Sequence, residues 1–242
     1  GAHAEPLRLD GEGLELVSLR VDAREYGSTD YQRDERGLGF ALAGDSALVE
    51  TVVRIGPERN TALEGLYASR GFLLTQCEAE GFRRITWFID RPDVMARYAV
   101  TLRADRERFP VLLCNGDLEA QGDLPGGRHF ARWVDPHPKP SYLFALVAGR
   151  LSNISDSLRT ADGRDVALGL YAEADAIGRC AHALDSLKRA MRWDEQRYGR
   201  SYDLGRFNIV ATHDFNMGAM ENKGLNVFNA KYIVADPATA TD

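Results

Sequence analysis

Residues 96–134 read ARYAVTLRADRERFPVLLCNGDLEAQGDLPGGRHFARWV, and their rhythm decides the fold class. Over 96–104, Tyr98, Val100 and Leu102 fall on one face while Arg97, Thr101 and Arg103 fall on the other. That period-two alternation marks a half-buried strand. Pro110–Cys114 is a second apolar run, followed by Asn115-Gly116 and then Leu118-Glu119-Ala120. Asn-Gly between apolar runs predicts a tight hairpin, because both central residues of a type I′ turn need positive φ. A further turn, Leu124-Pro125-Gly126-Gly127, leads into Arg128–Val134. Short strands parted by turn signals at this spacing predict an antiparallel sandwich or barrel-like sheet domain.

The same texture extends toward the N-terminus. Leu14, Leu16, Val17, Leu19 and Val21 form a run of strand length, and Glu50–Ile55 is β-branched and stopped by Gly56-Pro57. Toward the C-terminus, Pro136, Pro138 and Pro140 predict a break, since proline cannot donate to a central ladder. Tyr142–Val147 then reads as a continuous apolar strand closed by Gly149, which places a domain boundary near residue 150. The first domain is thus 1–150 and the second 151–242. In the second, strands near 151–159 and 165–172 flank the turn Ala161-Asp162-Gly163. A helix is predicted from Asp175, as N-cap, to just before Gly199, with Cys180, Ala183, Leu184, Leu187 and Met191 at helical spacing. Phe207–Ala211, Leu225–Phe228 and Tyr232–Val234 read as strands. The chain is therefore mostly β with a smaller α+β part.

Composition narrows the function. A chain of 242 residues with 44% hydrophobic content can bury a sizeable core. The net charge of −6 argues against binding nucleic acid through its phosphates. No stretch reaches the roughly 18 apolar residues of a membrane span, and no secretory signal opens the chain. Cys77, Cys114 and Cys180 are widely spaced, giving no disulfide framework and favouring a reducing, cytoplasmic setting. Arginine outnumbers lysine 26 to 4, a hint of a GC-rich genome and not of function. The five histidines, His3, His129, His137, His182 and His213, include no pair four apart, so the zinc motif His-Glu-x-x-His is absent. No nucleophile elbow or phosphate-binding loop occurs either.

One segment stands out. Residues 213–231 read HDFNMGAMENKGLNVFNAK, with Gly218 and Ala219 beside Met217, Met220 and Glu221. Small residues let another backbone approach, and exposed main chain there could add a peptide in β fashion. On these residues alone, an ordinary strand-to-strand loop with a solvated Glu221 is the favoured reading. Asp203 reads as an ordinary surface carboxylate nearby.

Gly218-Ala219-Met220-Glu221-Asn222 resembles, at every position, the exopeptidase motif of the zinc aminopeptidase N family. The likeness extends from Asp214 through Asn229. Thr75–Thr86, including Gln76 and Glu78, resembles the same family's second amine-site segment, and Asp90–Asp93, Lys139–Gly149 and Arg179–Ala183 also resemble stretches of that family. The resemblance implies a saddle-like N-terminal β domain followed by the sheet of a thermolysin-like catalytic domain. It implies a zinc-dependent enzyme, monomeric and bacterial-type, that removes single residues from peptides with a free N-terminus. Glu78 and Glu221 would hold the substrate ammonium and Gln76 would assist. Met217 would wall the first side-chain pocket, while Gly218, Ala219, Met220 and Asn222 complete the binding segment. It further implies a cis Glu78–Ala79 peptide bond, earlier strands before Pro6, and a zinc-binding helix beyond Asp242, so that this stretch holds no zinc by itself. The competing class is a non-catalytic β module that binds peptides or a partner, a pseudoenzyme; the sequence downstream of Asp242 separates the two.

Overall fold

The computed structural model describes residues 6–236. The chain is mostly β and divides into two compact units that interleave along the sequence. One comprises the described residues up to Ala68, Thr75–Ala96 and Lys139–Tyr142; the other comprises Ser69–Leu74, Arg97–Pro138 and residues from 143 onward.

In the first unit, Glu15–Val21 lies between Arg24–Glu25 and Val49–Arg54 in an antiparallel sheet. Gly37–Phe40 lies between Leu7–Asp10 and Gln32–Arg33 in another. Leu19 and Val21 from one sheet join Leu9, Leu38 and Phe40 from the other in a single core, completed by Trp87. Fully burying an aliphatic side chain stabilises by roughly 1.5–3 kcal/mol. This sandwich core therefore carries much of the unit's stability.

In the second unit, Arg128–Lys139 is the middle strand between Asp117–Leu124 and Ala96–Asp105. The turn 124–127 is where the sequence puts it. The Asn115-Gly116 hairpin is not. Val111–Cys114 pairs instead with Leu146–Gly149, and only from Asp117 does the chain enter the sheet with Arg128–Lys139. Asn115-Gly116 is the corner where the chain passes from one sheet to another. The predicted break at the prolines is also corrected: the strand runs through Pro136 and Pro138. Its pairing with Asp117–Leu124 ends at Val134, so the prolines lie where one ladder is already over. Tyr142 begins no strand. Ser141–Leu143 is a 3-10 turn, and Asn115 holds it by donating Nδ2 to Leu143 O at 3.0 Å and accepting Ala145 N at 2.6 Å.

A five-stranded mixed sheet completes this unit, in the order Ser152–Arg159, Asp165–Ala172, Arg206–Thr212, Leu225–Asn229, Ala219–Met220. The outer pairs are antiparallel and the two inner pairings parallel. Parallel neighbours need a crossover; the helix Ala181–Tyr198 supplies it between Asp165–Ala172 and Arg206–Thr212, and residues 213–224, with the edge strand Ala219–Met220, supply it between Arg206–Thr212 and Leu225–Asn229. Leu184 and Met191 of the helix share a core with Leu158, Val166, Leu168, Leu170 and Ile209. The helix ends before Gly199 as the sequence indicates but begins at Ala181, not near Asp175. Residues 177–179 make a 3-10 turn first, and Cys180 is the N-cap. Tyr232–Val234 is not a strand either: Asn229 Oδ1 accepts Lys231 N and starts a 3-10 turn at Ala230–Tyr232. Among the described residues, no helix is long and apolar enough to cross a membrane.

Candidate amine-binding site

The strand Arg206–Thr212 ends just before His213, and the chain loops back to the two-residue strand Ala219–Met220 at the edge of the five-stranded sheet. Ala219 pairs with Phe228 and Met220 with Val227. Side chains and backbone pin the loop. Ser69 Oγ donates to Asp214 Oδ2 at 2.8 Å. Asn229 donates Nδ2 to Phe215 O at 3.0 Å and its backbone N–H to Gly218 O at 2.9 Å. A Cβ on Gly218 would lie 3.2 Å from the Tyr232 ring, so a small residue suits that position. Met220 and Asn222 are buried, whereas Met217, Ala219 and Glu221 are exposed.

Glu221 opens a tight turn that ends at Gly224. Leu225 N donates to Asn222 O at 3.0 Å and Asn208 N to Gly224 O at 2.9 Å. Lys223 is held at both ends. Its carbonyl accepts Asn115 Nδ2 at 2.9 Å, and its ammonium lies 2.8 Å from both carboxylate oxygens of Asp203. A cavity of about 650 Å³ opens beside this turn, lined among others by Met191, Tyr198, Tyr202, Asp203, Phe207 and Glu221. That volume is in the range of small-molecule and peptide-residue pockets.

Charge around the turn is organised by Asp203. Partial burial works to raise its pKa, but the hydrogen bond and charge of Lys223, and then His137, hold it below the ordinary carboxylate value. His137 Nε2 stands 3.4 Å from Asp203 Oδ2. Burial, followed by the charges of Asp203, Asp117 and Asp135, pushes the Tyr202 phenol far up, so it stays protonated and donates to Arg206 O at 3.0 Å. Asp203 is therefore no bland surface carboxylate. The sequence carried no signal for its link to Lys223, 20 residues away. Asn115 was visible, but as a hairpin signal and not as a bracket.

Gln76 and Glu78 belong to the first unit, and Met217–Asn222 to the second. Gln76 is buried at the end of the strand Phe72–Gln76 and donates Nε2 to Glu78 O at 3.3 Å. Glu78 is exposed, and the Glu78–Ala79 peptide bond is cis, as the resemblance implies. The segment after it is anchored by Asp90, which is buried and accepts Arg83 N at 3.0 Å, Arg83 Nε at 3.1 Å and Ser141 Oγ at 2.5 Å. Among the described residues, no group of three or more His, Cys, Asp or Glu side chains is placed to hold a metal ion.

Comparison with known proteins fits this layout. The Peptidase M1 N-terminal domain matches residues 53–143, and the Peptidase family M1 domain matches residues 182–242. Together they span more than half of the chain. The chain belongs to peptidase family M1. Its M1 N-terminal match contains Gln76 and Glu78, and its M1 match contains Met217–Asn222. The whole chain is 56% identical to Aminopeptidase N of Caulobacter vibrioides and 50% identical to Aminopeptidase N of Escherichia coli, in each case covering 28% of the relative. The crystal structure of Legionella pneumophila aminopeptidase A in complex with aspartic acid superposes over all of the chain at a TM-score of 0.94 and 37% identity. This chain covers 28% of that structure.

Proposed function

We propose that this chain supplies the substrate-amine-binding part of an aminopeptidase that removes single N-terminal residues from peptides. The observation that carries the reading is Glu221: an exposed carboxylate on a turn pinned at Lys223, at the rim of a cavity of about 650 Å³, directly after an edge strand. A free α-amine has a pKa of about 7.7–8.0, so much of it is charged near neutrality. A charge-assisted hydrogen bond from that ammonium to Glu221 is roughly twice as strong as a neutral one. Ala219 and Met220 present strand backbone with small neighbours, which suits an extended peptide added along the edge. Met217, exposed beside them, is the proposed wall for the first side chain. The resemblance assigns Glu78, with Gln76, to the same ammonium, a role that Glu78→Gln tests. Zinc is proposed for the whole protein, where it would activate water; no residue described here is assigned to it. The proposal places the N-terminal β domain before about residue 150 and the catalytic-domain sheet after it. A cytoplasmic setting agrees with three buried cysteines that form no disulfide; a monomeric, bacterial enzyme is proposed from the resemblance alone.

The test uses the full-length protein and two reporters, an alanyl amide with a free amine and its N-acetylated counterpart. Turnover of the free amine alone is the expected result. Equal turnover of both would overturn the amine-site reading, and turnover of neither would favour the non-catalytic binding module.

A further inference from the structure

The corner at Asn115-Gly116 has a second use. Asn115 is buried, and its amide makes three hydrogen bonds: it accepts Ala145 N and donates to Leu143 O and Lys223 O. Two of these tie down the 3-10 turn at Ser141–Leu143 and the residues after it. The third reaches 108 residues along the chain to the turn that carries Glu221. Backbone contact reinforces it. A Cβ on Gly224 would lie 3.1 Å from Gly116 N and 3.2 Å from Leu204 Cδ1, so the two corners meet almost backbone to backbone. On the other side of the same turn, Asp203 grips the Lys223 ammonium with both oxygens. Lys223 is thus clamped by carbonyl and by ammonium, two residues from Glu221.

We infer that Asn115 and Asp203 are positioning residues for the Glu221 carboxylate, acting through Lys223. The inference rests on the amine-binding reading of Glu221. A buried amide with both N–H donors on carbonyls and its oxygen on an N–H would break all three bonds by turning over, so it fixes the height of the turn. The Asp203–Lys223 pair, partly exposed, fixes its rotation. Neither residue has to touch substrate; each sets where the carboxylate stands when an ammonium arrives. Misplacement of about 1 Å can cost on the order of 100-fold in rate. Loosening one end of the clamp should therefore be felt in catalysis as well as in stability.

The experiment is a set of double-mutant cycles in the full-length protein, read as kcat/KM on a free-amine reporter, with thermal midpoints measured alongside. Asp203→Asn keeps an acceptor for Lys223 but loses the charge, and is expected to lower kcat/KM about tenfold, in line with a shift well under 1 Å. Asn115→Ala removes all three bonds and is expected to lower it further. Should Asn115→Ala fail to fold, Asp203→Asn alone decides the matter. Both losses are expected to vanish in the Glu221→Gln background, because the residue they position is already disabled. Losses that multiply with Glu221→Gln would show ordinary structural roles and overturn the inference while leaving the amine site intact. Folded Asp203→Asn and Asn115→Ala proteins with unchanged kcat/KM would overturn it too. If Glu221→Gln were itself silent, the amine-site reading would fall and this inference with it.

Discussion

Replacing Gly116 by alanine probes the corner on which the second unit turns. Gly116 sits at φ +87°, a conformation that costs an L residue roughly 1–2 kcal/mol. Space is the larger problem. A Cβ there would lie 2.2 Å from Val134 O, 2.5 Å from Val134 C and 2.6 Å from Asp135 N. Carbon and oxygen in van der Waals contact stand about 3.3–3.6 Å apart. The corner must therefore move away from Val134 by about 1 Å. Val134 pairs with Asp117, the first residue of the following strand, so the shift breaks the start of that ladder. Overpacking of this kind typically costs about 1–3 kcal/mol. With the backbone penalty the total is roughly 2–5 kcal/mol, which for a chain of this size lowers the melting temperature by on the order of 10 °C. Gly126→Ala is the matched control: φ there is +75°, yet nothing lies within 4 Å of its Cβ. It should incur only the backbone cost. Thermal denaturation by circular dichroism, with both variants run together, measures the difference. If Gly116→Ala melts no lower than Gly126→Ala, the close approach to Val134 is not what fixes this corner.

Two further outcomes follow from particular side chains. Asp203 has a lowered folded-state pKa, so its pairing stabilises the fold above the ordinary carboxylate pKa of 3.8 and is lost as pH falls through the lower folded value. The melting-temperature difference between wild type and Asp203→Asn should therefore hold at pH 6 and close below about pH 4; a difference that persists unchanged at pH 2 would contradict the pairing. Asp175→Ala should shift the melting temperature by less than 1 °C, since the helix begins at Ala181 with Cys180 as its cap; a loss of about 1 kcal/mol, typical of a removed N-cap, would restore the sequence reading.

Local pattern made much of the fold legible. Alternation at Tyr98, Val100 and Leu102 gave the strand Ala96–Asp105, and Ala161-Asp162-Gly163 gave the turn between Ser152–Arg159 and Asp165–Ala172. Failures came where a distant partner decides. Asn115-Gly116 has the composition of a hairpin, but Val111–Cys114 pairs with Leu146–Gly149, and no local signal reports that competition. Pro136 and Pro138 are tolerated because the Asp117–Leu124 ladder stops at Val134. Ile233 and Val234 look like strand residues, yet the Asn229 side chain starts a 3-10 turn before them. At the candidate site, Glu221 and its neighbours could be named from their motif. The brace around them could not, because Asn115, Asp203 and Lys223 meet only in the folded chain.

The most direct test of the account is the steady-state kinetics of Glu221→Gln in the full-length protein, set against Asp185→Asn. Asp185 is an exposed carboxylate on the helix, paired with Arg189 in the manner of a surface i, i+4 couple. Gln keeps the shape of Glu221 and removes the charge that is proposed to hold the substrate ammonium. Glu221→Gln is expected to lose kcat/KM on the order of 100-fold, and Asp185→Asn to keep wild-type kinetics. Wild-type kcat/KM for a folded Glu221→Gln enzyme would contradict the account.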